Sequence, residues 1–213
     1  MKTVAFVPVK LNNERLPGKN TKPLNGVPLI KYILNTLQTV KAIDEIYVYC
    51  SDDSICEYLP EGVKFLKRSP YLDLSSTSFN EVLTSFAKDV DADIYVLTHA
   101  TAPFLRRESF EDGITAVESG RYDCALSVEK MQEFFWKDGK PFNYSPTAIP
   151  RTQDLEPFYM ETCGMYIYTA ETIKVHKRRV GDKPYLVEVS KIEACDINNT
   201  EDFVFAEALA KSL

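Results

Sequence analysis

The sequence predicts an α/β domain in which helices cover both faces of a mainly parallel sheet. Two observations carry this prediction: short apolar runs rich in β-branched and aromatic residues, and stretches of helical period that alternate with them. Such alternation is typical of parallel strands joined by helical crossovers. Because 213 residues are enough for one such domain with a full core, we expect residues 1–213 to form a single domain.

The strands are predicted from their apolar runs. Residues 3–9, "TVAFVPV", are almost entirely apolar, as expected for a strand that is buried on both faces. Similar runs predict strands at residues 45–51, 93–100, 123–129, 163–169 and 184–190.

Apolar residues at helical spacing predict the helices between these strands. Ile30, Ile33, Leu34 and Leu37 fall at i, i+3, i+4 and i+7, which places them on one helical face. A last helix should follow "DINNTED", where either Asn199 or Thr200 suits the N-cap and acidic residues suit the first turn. The same apolar spacing recurs in Phe79, Val82, Leu83 and Phe86, and in Phe110, Ile114 and Val117.

The overall charge argues against a general nucleic-acid or membrane-surface binder. The net charge is -6 and the pI about 5.1, whereas such binders need a basic face. No apolar run approaches the ~20 residues of a membrane span, and the first residues lack the apolar length of a signal peptide. Five cysteines lack the spacing of metal or redox motifs. We therefore expect a cytoplasmic protein with reduced thiols and with neither nucleic-acid nor membrane partners.

Positive charge is concentrated directly after the first predicted strand. Lys10, Arg15, Lys19 and Lys22 lie in a loop that is rich in proline and glycine. Ligands of parallel sheets bind beyond the carboxyl ends of the strands, so backbone N–H groups and the first three cations could surround a polyphosphate there. The loop is not a Walker P-loop, because GxxxxGK[ST] is absent. A merely solvated loop is the alternative, although such loops seldom combine this charge with so many prolines and glycines.

Residues 130–158 interrupt the alternating pattern. This segment is aromatic, proline-rich and aperiodic, contains the only tryptophan, Trp136, and has a turn signal at Asp138-Gly139. It is too short for a core of its own, so we interpret it as a projecting hairpin or arm. Exposed aromatic residues on an arm often mark a protein interface. The alternative is a loop folded back on the core.

A possible cation site lies near the end of the chain. In "ACDINNTED", Asp196 and Asn198 are two residues apart, so an extended chain places both side chains on the same side. Carboxylate and amide oxygens suit a hard cation such as Mg²⁺, which is usually shared with substrate phosphates. From spacing alone, turn and cap residues before the last helix are the more common explanation.

Five segments, in order, resemble the acylneuraminate cytidylyltransferases, the CMP–sialic acid synthetase-like family. "VPVKLNNERLPGKNTKPLNGVPLI" resembles the opening I-P-A-R-x-G-S-K-R-L-P-x-K-N and K-P-L-x-G-x-P-L-I, and "SDD" resembles S-T-D-D. "THATAPFLR" is similar to Q-P-T-S-P-L-R, and "PRTQDLEPFYMETCGMYIY" to R-R-Q-D-L-P-P-x-Y-x-E-N-G-A-I-Y-I. "ACDINNTEDFVFAE" matches the closing D-I-D-T-P-E-D-F-x-x-A-E. One match could be chance, whereas five in order are specific.

The resemblance implies a three-layer, Rossmann-like nucleotide-diphospho-sugar transferase fold with a dimerisation arm. It implies an enzyme that couples CTP to an acidic 2-keto sugar, a sialic acid-like nonulosonate, and releases CMP-sugar and pyrophosphate. Mg²⁺ would be the cofactor, and a homodimer the assembly. An enzyme for another sugar such as 3-deoxy-octulosonate, and a nucleotide-binding homologue without turnover, remain as alternatives.

The resemblance also assigns roles to residues. For three of these residues a structural role is the alternative: Arg68 on the surface, His99 as a structural residue and Tyr166 in the core. Catalysis would depend on Lys19, Asp196 and Arg15, and Mg²⁺ would be bound by Asp196 and Asn198. The nucleotide would be bound by Lys10, Asn12, Arg15, Lys19, Asn20, Arg68 and His99. The sugar would be bound by His99, Arg151, Gln153, Thr162 and Tyr166, and Arg151 would reach it across a dimer.

The chain departs from the family pattern at several of these positions. Lys10 replaces an arginine and keeps its positive charge, but it lacks the planar guanidinium that donates two parallel hydrogen bonds. Glu14 replaces a lysine and would repel a triphosphate if it pointed inward. The other departures are Asn12-Asn13 for Gly-Ser, His99 for Gln, Thr152 for Arg, Thr162-Cys163 for Asn-Gly and Asn198 for Asp. Together they indicate a divergent branch.

Overall fold

The computed structural model describes residues 1–213 and contains one seven-stranded sheet and two small hairpins. The strands are β1 (Thr3–Val9), β2 (Pro23–Leu24), β3 (Val27–Pro28), β4 (Glu45–Cys50), β5 (Val63–Lys67), β6 (Ile94–Thr98), β7 (Cys124–Met131), β8 (Trp136–Lys137), β9 (Lys140–Pro141), β10 (Phe158–Thr169) and β11 (Pro184–Glu188). The helices are α1 (Leu29–Thr39), α2 (Phe79–Asp89), α3 (Arg107–Glu118), α4 (Ala170–Lys174) and α5 (Thr200–Ala210).

The large sheet is mainly parallel, as the sequence predicts. Its strand order is β11-β7-β10-β6-β1-β4-β5. Only β10 runs antiparallel to its neighbours, β6 and β7. The chain leaves β7 through the arm and returns directly beside it, so no crossover helix intervenes and the return strand must run in the opposite direction.

Three layers follow from the alternation of side chains along the strands. Ala5, Val7 and Val9 pack with α1 and α3 in one buried cluster. Val4 and Phe6 point to the other face and pack with α2 and α4. Strands buried on both faces have no polar side, which explains the continuous apolar runs in the sequence.

A third apolar cluster lies at the edge of this core and joins distant parts of the chain. Leu16 and Leu24 of the basic loop pack with Ile197 before α5 and with Phe203 within it. Burial of these side chains holds the basic loop against the Asp196 segment, although the two are far apart in sequence. The cluster thereby positions the charged residues discussed below.

The caps of α2 and α5 satisfy backbone groups that a helix leaves unpaired. Ser78 and Glu81 form a capping box at α2. At α5 the Asn199 side chain accepts from the backbone N–H of Asp202, and the Asp202 carboxylate accepts from that of Asn199, both at 3.0 Å. Of the two predicted N-cap residues, Asn199 is therefore the cap.

The two-residue strands β2 and β3, strand β5 and helix α4 were not predicted from the sequence. Strand β5 lies at the edge of the sheet, and its side chains are exposed or only partly buried, so its sequence "VKFLK" lacks a long apolar run. Helix α4 has five residues, too few to show a helical period. In addition, Phe79 begins α2 but is 36% exposed, so it does not join the core as its spacing suggested.

The arm begins later and ends earlier than its predicted bounds of 130–158. Strand β7 continues to Met131 and pairs there with Phe158 at the start of β10. Between them, β8 and β9 form a hairpin whose turn has positive φ at Asp138 (51°) and Gly139 (74°), the backbone conformation that suits an Asp-Gly turn.

Aromatic residues of the arm pack mainly on one another. The rings of Phe134 and Tyr144 are 4.6 Å apart between centroids, and those of Phe135 and Phe158 are 5.2 Å apart. Trp136 remains 63% exposed. These rings lie outside the three core clusters, in contrast to the alternative of a loop folded back on the core. No helix of the structure combines the length and apolar character needed to cross a membrane.

Candidate active site

The basic loop and the Asp196 segment together line a cavity of about 270 Å³ beyond the carboxyl end of β1. Strands β1, β4 and β6 are parallel neighbours, so the loops that follow them emerge at one edge of the sheet. This is the edge at which ligands of open α/β sheets bind. The residues that line the cavity are Lys10, Asn13, Glu14, Arg15, Leu16, Lys19 and Asn198.

Lys19 is buried and anchored at the base of this cavity. It is 8% exposed, and its Nζ donates a 2.7 Å hydrogen bond to the carbonyl oxygen of Ile197. Burial lowers the pKa of Lys19, while the nearby Asp196 carboxylate acts in the opposite direction. The preceding Gly18 has a φ of 65°, a conformation that glycine adopts without strain.

Asn20 supports the other side of the loop. Its side-chain Nδ2 donates to the carbonyl oxygen of Lys10 at 2.9 Å. Asn20 is buried, and this hydrogen bond holds the backbone of the loop. Asn12, by contrast, is exposed, and it does not line the cavity.

Asp196, Asn198 and Arg15 form a hydrogen-bonded chain at the cavity rim. Asn198 Nδ2 donates to Asp196 Oδ2 at 2.6 Å, and Arg15 donates to Asn198 Oδ1 at 3.0 Å. Buried Cys195 and Ile197 alternate with these half-buried residues, so Asp196 and Asn198 do share one side of the chain. The two therefore lie together, as the extended spacing predicted.

This chain of residues fits a divalent cation mainly through Asp196. Its Oδ1 has no hydrogen-bond partner in the structure, which leaves one carboxylate oxygen free for a ligand. The amide oxygen of Asn198 accepts a hydrogen bond from Arg15. Asn198 would therefore have to lose this bond to bind the cation directly, or contact the cation through a water molecule. No group of three or more His, Cys, Asp or Glu residues forms a metal cluster, so substrate oxygens would have to complete the coordination.

A second cavity, of about 310 Å³, adjoins the first through Lys10 and contains Arg68. Arg68 is 6% exposed and forms an ion pair with Asp73, whose carboxylate also accepts from Ser51. The Nε of Arg68 is buried without an acceptor. A buried donor without a partner is costly, so an acceptor supplied by a ligand would stabilise this site.

His99 follows β6 and lies near two cations. Burial, then the charges of Arg179 and Lys19, lower its pKa to about 4. Its ring lies 5.5 Å from that of Phe79, measured between centroids. His99 is therefore neutral near pH 7 and can accept or donate one hydrogen bond without adding charge.

Tyr166 lies on β10 beside the end of β6, opposite Leu97. Its ring is buried, but its hydroxyl donates to Glu161 at 2.7 Å and accepts from Arg179 at 3.0 Å. The ring thus belongs to the core, whereas the hydroxyl reaches polar groups at the rim. The core interpretation of Tyr166 therefore describes its ring, whereas a sugar contact through its hydroxyl stays a prediction.

Three predicted sugar-binding residues lie outside this cluster. Arg151 is on the arm and pairs with Asp154 at 2.7 Å, and the carbonyl oxygen of Gln153 accepts from Gln132. Thr162 is 6% exposed, and its hydroxyl lies 2.6 Å from that of Ser127 inside the sheet. The structure therefore does not bring Arg151, Gln153 or Thr162 together with His99 in a single chain.

Arg179 is a member of the cluster that the sequence did not reveal. Its guanidinium lies 3.8 Å from the centroid of the Tyr166 ring and 5.4 Å from that of Phe79. It follows another arginine in a segment with neither helical nor strand period, so only the tertiary fold shows where it lies.

Family and structural comparisons agree with this fold. The family model described as "Cytidylyltransferase" matches residues 4–208. The chain belongs to the cytidylyltransferase family. Like other members of the family, this cytidylyltransferase homologue has an α/β nucleotidyltransferase fold.

Two solved structures share that fold over nearly the whole chain. One is titled CMP:2-keto-3-deoxy-manno-octonic acid synthetase complexed with CTP. It has a TM-score of 0.73 at 15% identity, with 100% of both chains covered. The other is 4-diphosphocytidyl-2C-methyl-D-erythritol synthase from Anaerococcus prevotii, with a TM-score of 0.70 at 16% identity, covering 99% of this chain and 96% of that one.

Curated relatives are more similar in sequence. N-acylneuraminate cytidylyltransferase A of Danio rerio is 26% identical over 213 residues, which cover 95% of this chain and 49% of the relative. An 8-amino-3,8-dideoxy-manno-octulosonate cytidylyltransferase of Shewanella frigidimarina is 26% identical over 79% of this chain and 75% of the relative. The cytidylyltransferase chain thus spans about half the length of the first of these relatives.

Proposed function

We propose that this chain transfers a cytidylyl group from CTP to an acidic 2-keto sugar, with release of pyrophosphate. The observation that carries the proposal is the pair of adjoining cavities that share Lys10 at the carboxyl edge of the sheet. They are lined by Arg15, Lys19 and Arg68, and Asp196, with its free carboxylate oxygen, lies directly beside the lining residue Asn198. Family membership and the names of its relatives support the same chemistry.

The cavities suit a nucleoside triphosphate because their cations are already placed. Lys10 and Arg15 line the first cavity, where their charges would neutralise the phosphates. Arg68 has an unpaired buried Nε in the second cavity, where a nucleotide oxygen would supply its acceptor. Phosphoryl-type transfers need positioning and charge neutralisation more than covalent help, and this arrangement offers both.

The reaction would be an in-line displacement at the α-phosphate. The C2 hydroxyl of the sugar would attack, and pyrophosphate would leave toward Arg15 and Lys19. Asp196 would hold Mg²⁺, with Asn198 as a neutral or water-mediated neighbour. When bound, the ion would neutralise phosphate charge and orient the oxygens of the triphosphate.

The sugar acid itself is a finer part of the proposal. A sialic acid-like nonulosonate is favoured because several relatives are named N-acylneuraminate cytidylyltransferases. An octulosonate is the second candidate, favoured by relatives named for 3-deoxy-manno-octulosonate and its 8-amino derivative. His99, Tyr166 and the groups around them would form the sugar side of the site.

We also propose that residues 1–213 act as one catalytic domain in a homodimer. The exposed aromatic face of the arm supports an interface, and a partner's arm could bring Arg151 and Gln153 to the sugar site that they do not reach within one chain. Five free cysteines support a reducing, cytoplasmic environment.

Pyrophosphate release tests the proposed activity directly. The chain should release pyrophosphate only when CTP, Mg²⁺ and a 2-keto sugar acid are all present. UTP and GTP should be poor donors, and N-acetylneuraminate and 3-deoxy-manno-octulosonate should separate the two sugar classes. If the chain binds CTP but releases pyrophosphate with none of the sugar acids in the panel, it is a nucleotide-binding homologue without turnover.

A further inference from the structure

Arg179 combines a fixed position with unused hydrogen-bonding capacity. Its guanidinium stacks on Tyr166, with 3.8 Å between its central carbon and the ring centroid, and it also lies over Phe79. Its one hydrogen bond to protein goes to the Tyr166 hydroxyl at 3.0 Å, and no carboxylate lies within salt-bridge distance of it. A guanidinium has five N–H donors, so most of them remain available.

The loop that carries Arg179 is held in place from its far side. Asp123 accepts from the backbone N–H groups of Asp182 at 2.7 Å and Lys183 at 3.0 Å. Arg178, next to Arg179, pairs instead with Asp182 within the loop. The two adjacent arginines therefore differ: Arg178 is neutralised by its own loop, whereas Arg179 crosses to β10 and α2.

Arg179 also lies on the appropriate side of the proposed site. Its charge and that of Lys19 both lower the pKa of His99, so both cations lie near the imidazole. The Tyr166 hydroxyl donates a 2.7 Å hydrogen bond to Glu161, so this carboxylate contacts the tyrosine and forms no ion pair with Arg179. Phe79, over which Arg179 also lies, has its ring 5.5 Å from that of His99 and lines the second cavity, so the guanidinium stands beside the proposed site.

We infer that Arg179 binds the carboxylate of the acidic sugar, and that its stacking on Tyr166 positions it for this contact. The inference deepens the proposed function and rests on it. A planar guanidinium matches a carboxylate through two parallel N–H bonds, a geometry that lysine does not provide. Tyr166 acts as a positioning residue, because its ring and hydroxyl hold the guanidinium from two directions.

Kinetics of matched variants test the inference. Wild type, Arg179→Gln, Arg179→Lys and Arg178→Gln would be compared with CTP and whichever of N-acetylneuraminate and 3-deoxy-manno-octulosonate the wild type uses better. Arg179→Gln should raise the KM for the sugar acid at least about ten-fold and leave the KM for CTP within about two-fold. Arg179→Lys should show a smaller rise, and Arg178→Gln should change neither KM.

A second measurement isolates the carboxylate from any structural effect. The wild type should bind the sugar acid more tightly than its C1 carboxamide in calorimetry with CTP present, and Arg179→Gln should lose most of this discrimination. If Arg179→Gln does not fold, Arg179→Lys carries the same comparison. Unchanged discrimination, or a raised KM for CTP in place of the sugar, would overturn the assignment of Arg179.

The outcomes also separate the inference from the proposed function. If the wild type uses a sugar acid and both Arg179 variants keep its KM, only the role of Arg179 is wrong. If the wild type binds CTP but neither binds nor uses any 2-keto sugar acid, the proposed substrate class is wrong and the role of Arg179 is overturned with it.

Discussion

The side-chain ammonium of Lys19 donates to the carbonyl oxygen of Ile197 at 2.7 Å, across a separation of 178 residues. This bond joins the loop after the first strand to the segment before the last helix, beside an apolar cluster that contains Leu16 and Ile197. Because Ile197 lies between Asp196 and Asn198, the same contact sets the distance between the basic loop and the proposed cation ligand. The proposed nucleotide and metal sites would thereby be coupled through one lysine.

Replacement of Lys19 should therefore affect both CTP binding and the fold. Lys19→Ala removes a charged hydrogen bond and a cation at the base of the cavity, which should weaken CTP binding by ~1.5–3 kcal/mol. It should also lower the melting temperature, because the Ile197 carbonyl loses its donor. Calorimetry with CTP and thermal unfolding would measure the two effects.

Lys22→Ala is the matched control for this prediction. Lys22 belongs to the same loop, is exposed, and lies over the Phe203 ring outside both cavities. It should leave CTP affinity unchanged. CTP binding by Lys19→Ala within error of wild type would mean that the basic loop does not hold the triphosphate.

Asp196→Ala should abolish Mg²⁺-dependent turnover while the protein remains folded, because Asp196 is half-buried at the rim and not in the core. Asn198→Asp should keep or raise activity. Asn198 Nδ2 now donates to Asp196 at 2.6 Å, and the substitution would replace this donor with a second carboxylate. Without a cation, the two carboxylates would repel each other.

The Mg²⁺ dependence of thermal stability provides a readout apart from activity. Mg²⁺ should raise the melting temperature of Asn198→Asp more than that of wild type, and should not change that of Asp196→Ala, since binding to the native state alone stabilises it. Normal turnover by Asp196→Ala would mean that Asp196 holds no essential cation and that this segment serves only as a turn and helix cap.

Glu14 should weaken CTP binding, because it lines the same cavity as Arg15 and Lys19. Glu14→Gln removes a like charge near the triphosphate and should lower the KM for CTP about two- to five-fold at low salt. The advantage should fade as salt rises, and Glu57→Gln, at an exposed position elsewhere, should show none. A KM that is higher or unchanged at low salt would place the Glu14 carboxylate away from the phosphates.

The sequence predicted the parts of the fold that depend on local apolar patterns. Strands buried on both faces, such as β1, and helices with one apolar face, such as α1, were found from spacing alone. Strand β5 was missed because an edge strand with exposed lysines has no continuous apolar run. The direction of β10 was not predicted either, since orientation depends on how the arm returns and not on residue pattern.

The candidate site was predictable only where its residues lie in one short segment. Lys10, Arg15 and Lys19 belong to one loop, and Asp196 and Asn198 to another, so local spacing indicated both. Arg179 became visible only when the fold stacked it on Tyr166. Thr162 shows the opposite case, because its hydroxyl pairs with Ser127, a contact that no local pattern indicates.

His99 should make the protein more sensitive to acid. The pKa of His99 in the folded protein, about 4, lies below the ordinary value of 6.5. Between these two pH values the unfolded chain therefore binds a proton that the native state does not bind. Stability should therefore fall as the pH drops from about 6.5 toward 4, and this loss is complete once the pH is below the folded pKa. His99→Gln should lose less stability than wild type over that range, as measured by denaturant unfolding at pH 7.5, 6 and 5.

The same pKa predicts the pH profile of activity. Because His99 is already neutral at pH 6.5, its protonation should not change kcat near that pH. The pH profiles of kcat for the wild type and for His99→Gln should therefore have the same shape around pH 6.5. Equal acid sensitivity of the two proteins, or a limb near pH 6.5 that the substitution removes, would show that His99 is protonated in the native state near neutrality.

Trp136 should anchor a dimer. It is 63% exposed, and with Phe135, Phe142 and Phe158 it lines an apolar cavity of about 440 Å³ on the arm. The three core clusters are complete without these rings, so burial against a second copy of the chain is the remaining way to remove them from water. A twofold-symmetric pair would also let each arm deliver Arg151 to its partner's sugar site.

Trp136→Ala should therefore weaken association by ~2 kcal/mol or more, if its ring is a centre of the interface as large buried aromatics usually are. Phe205→Ala is the matched control, since Phe205 is 60% exposed but lies on α5, away from the arm. Sedimentation or light scattering at micromolar concentration would measure the dimer, and activity at falling enzyme concentration would show whether catalysis needs it. A monodisperse wild-type monomer with full activity would contradict both the interface and the shared site. A dimer that Trp136→Ala leaves intact while Phe205→Ala dissociates it would move the interface to α5, and the delivery of Arg151 to a partner's sugar site would then be wrong.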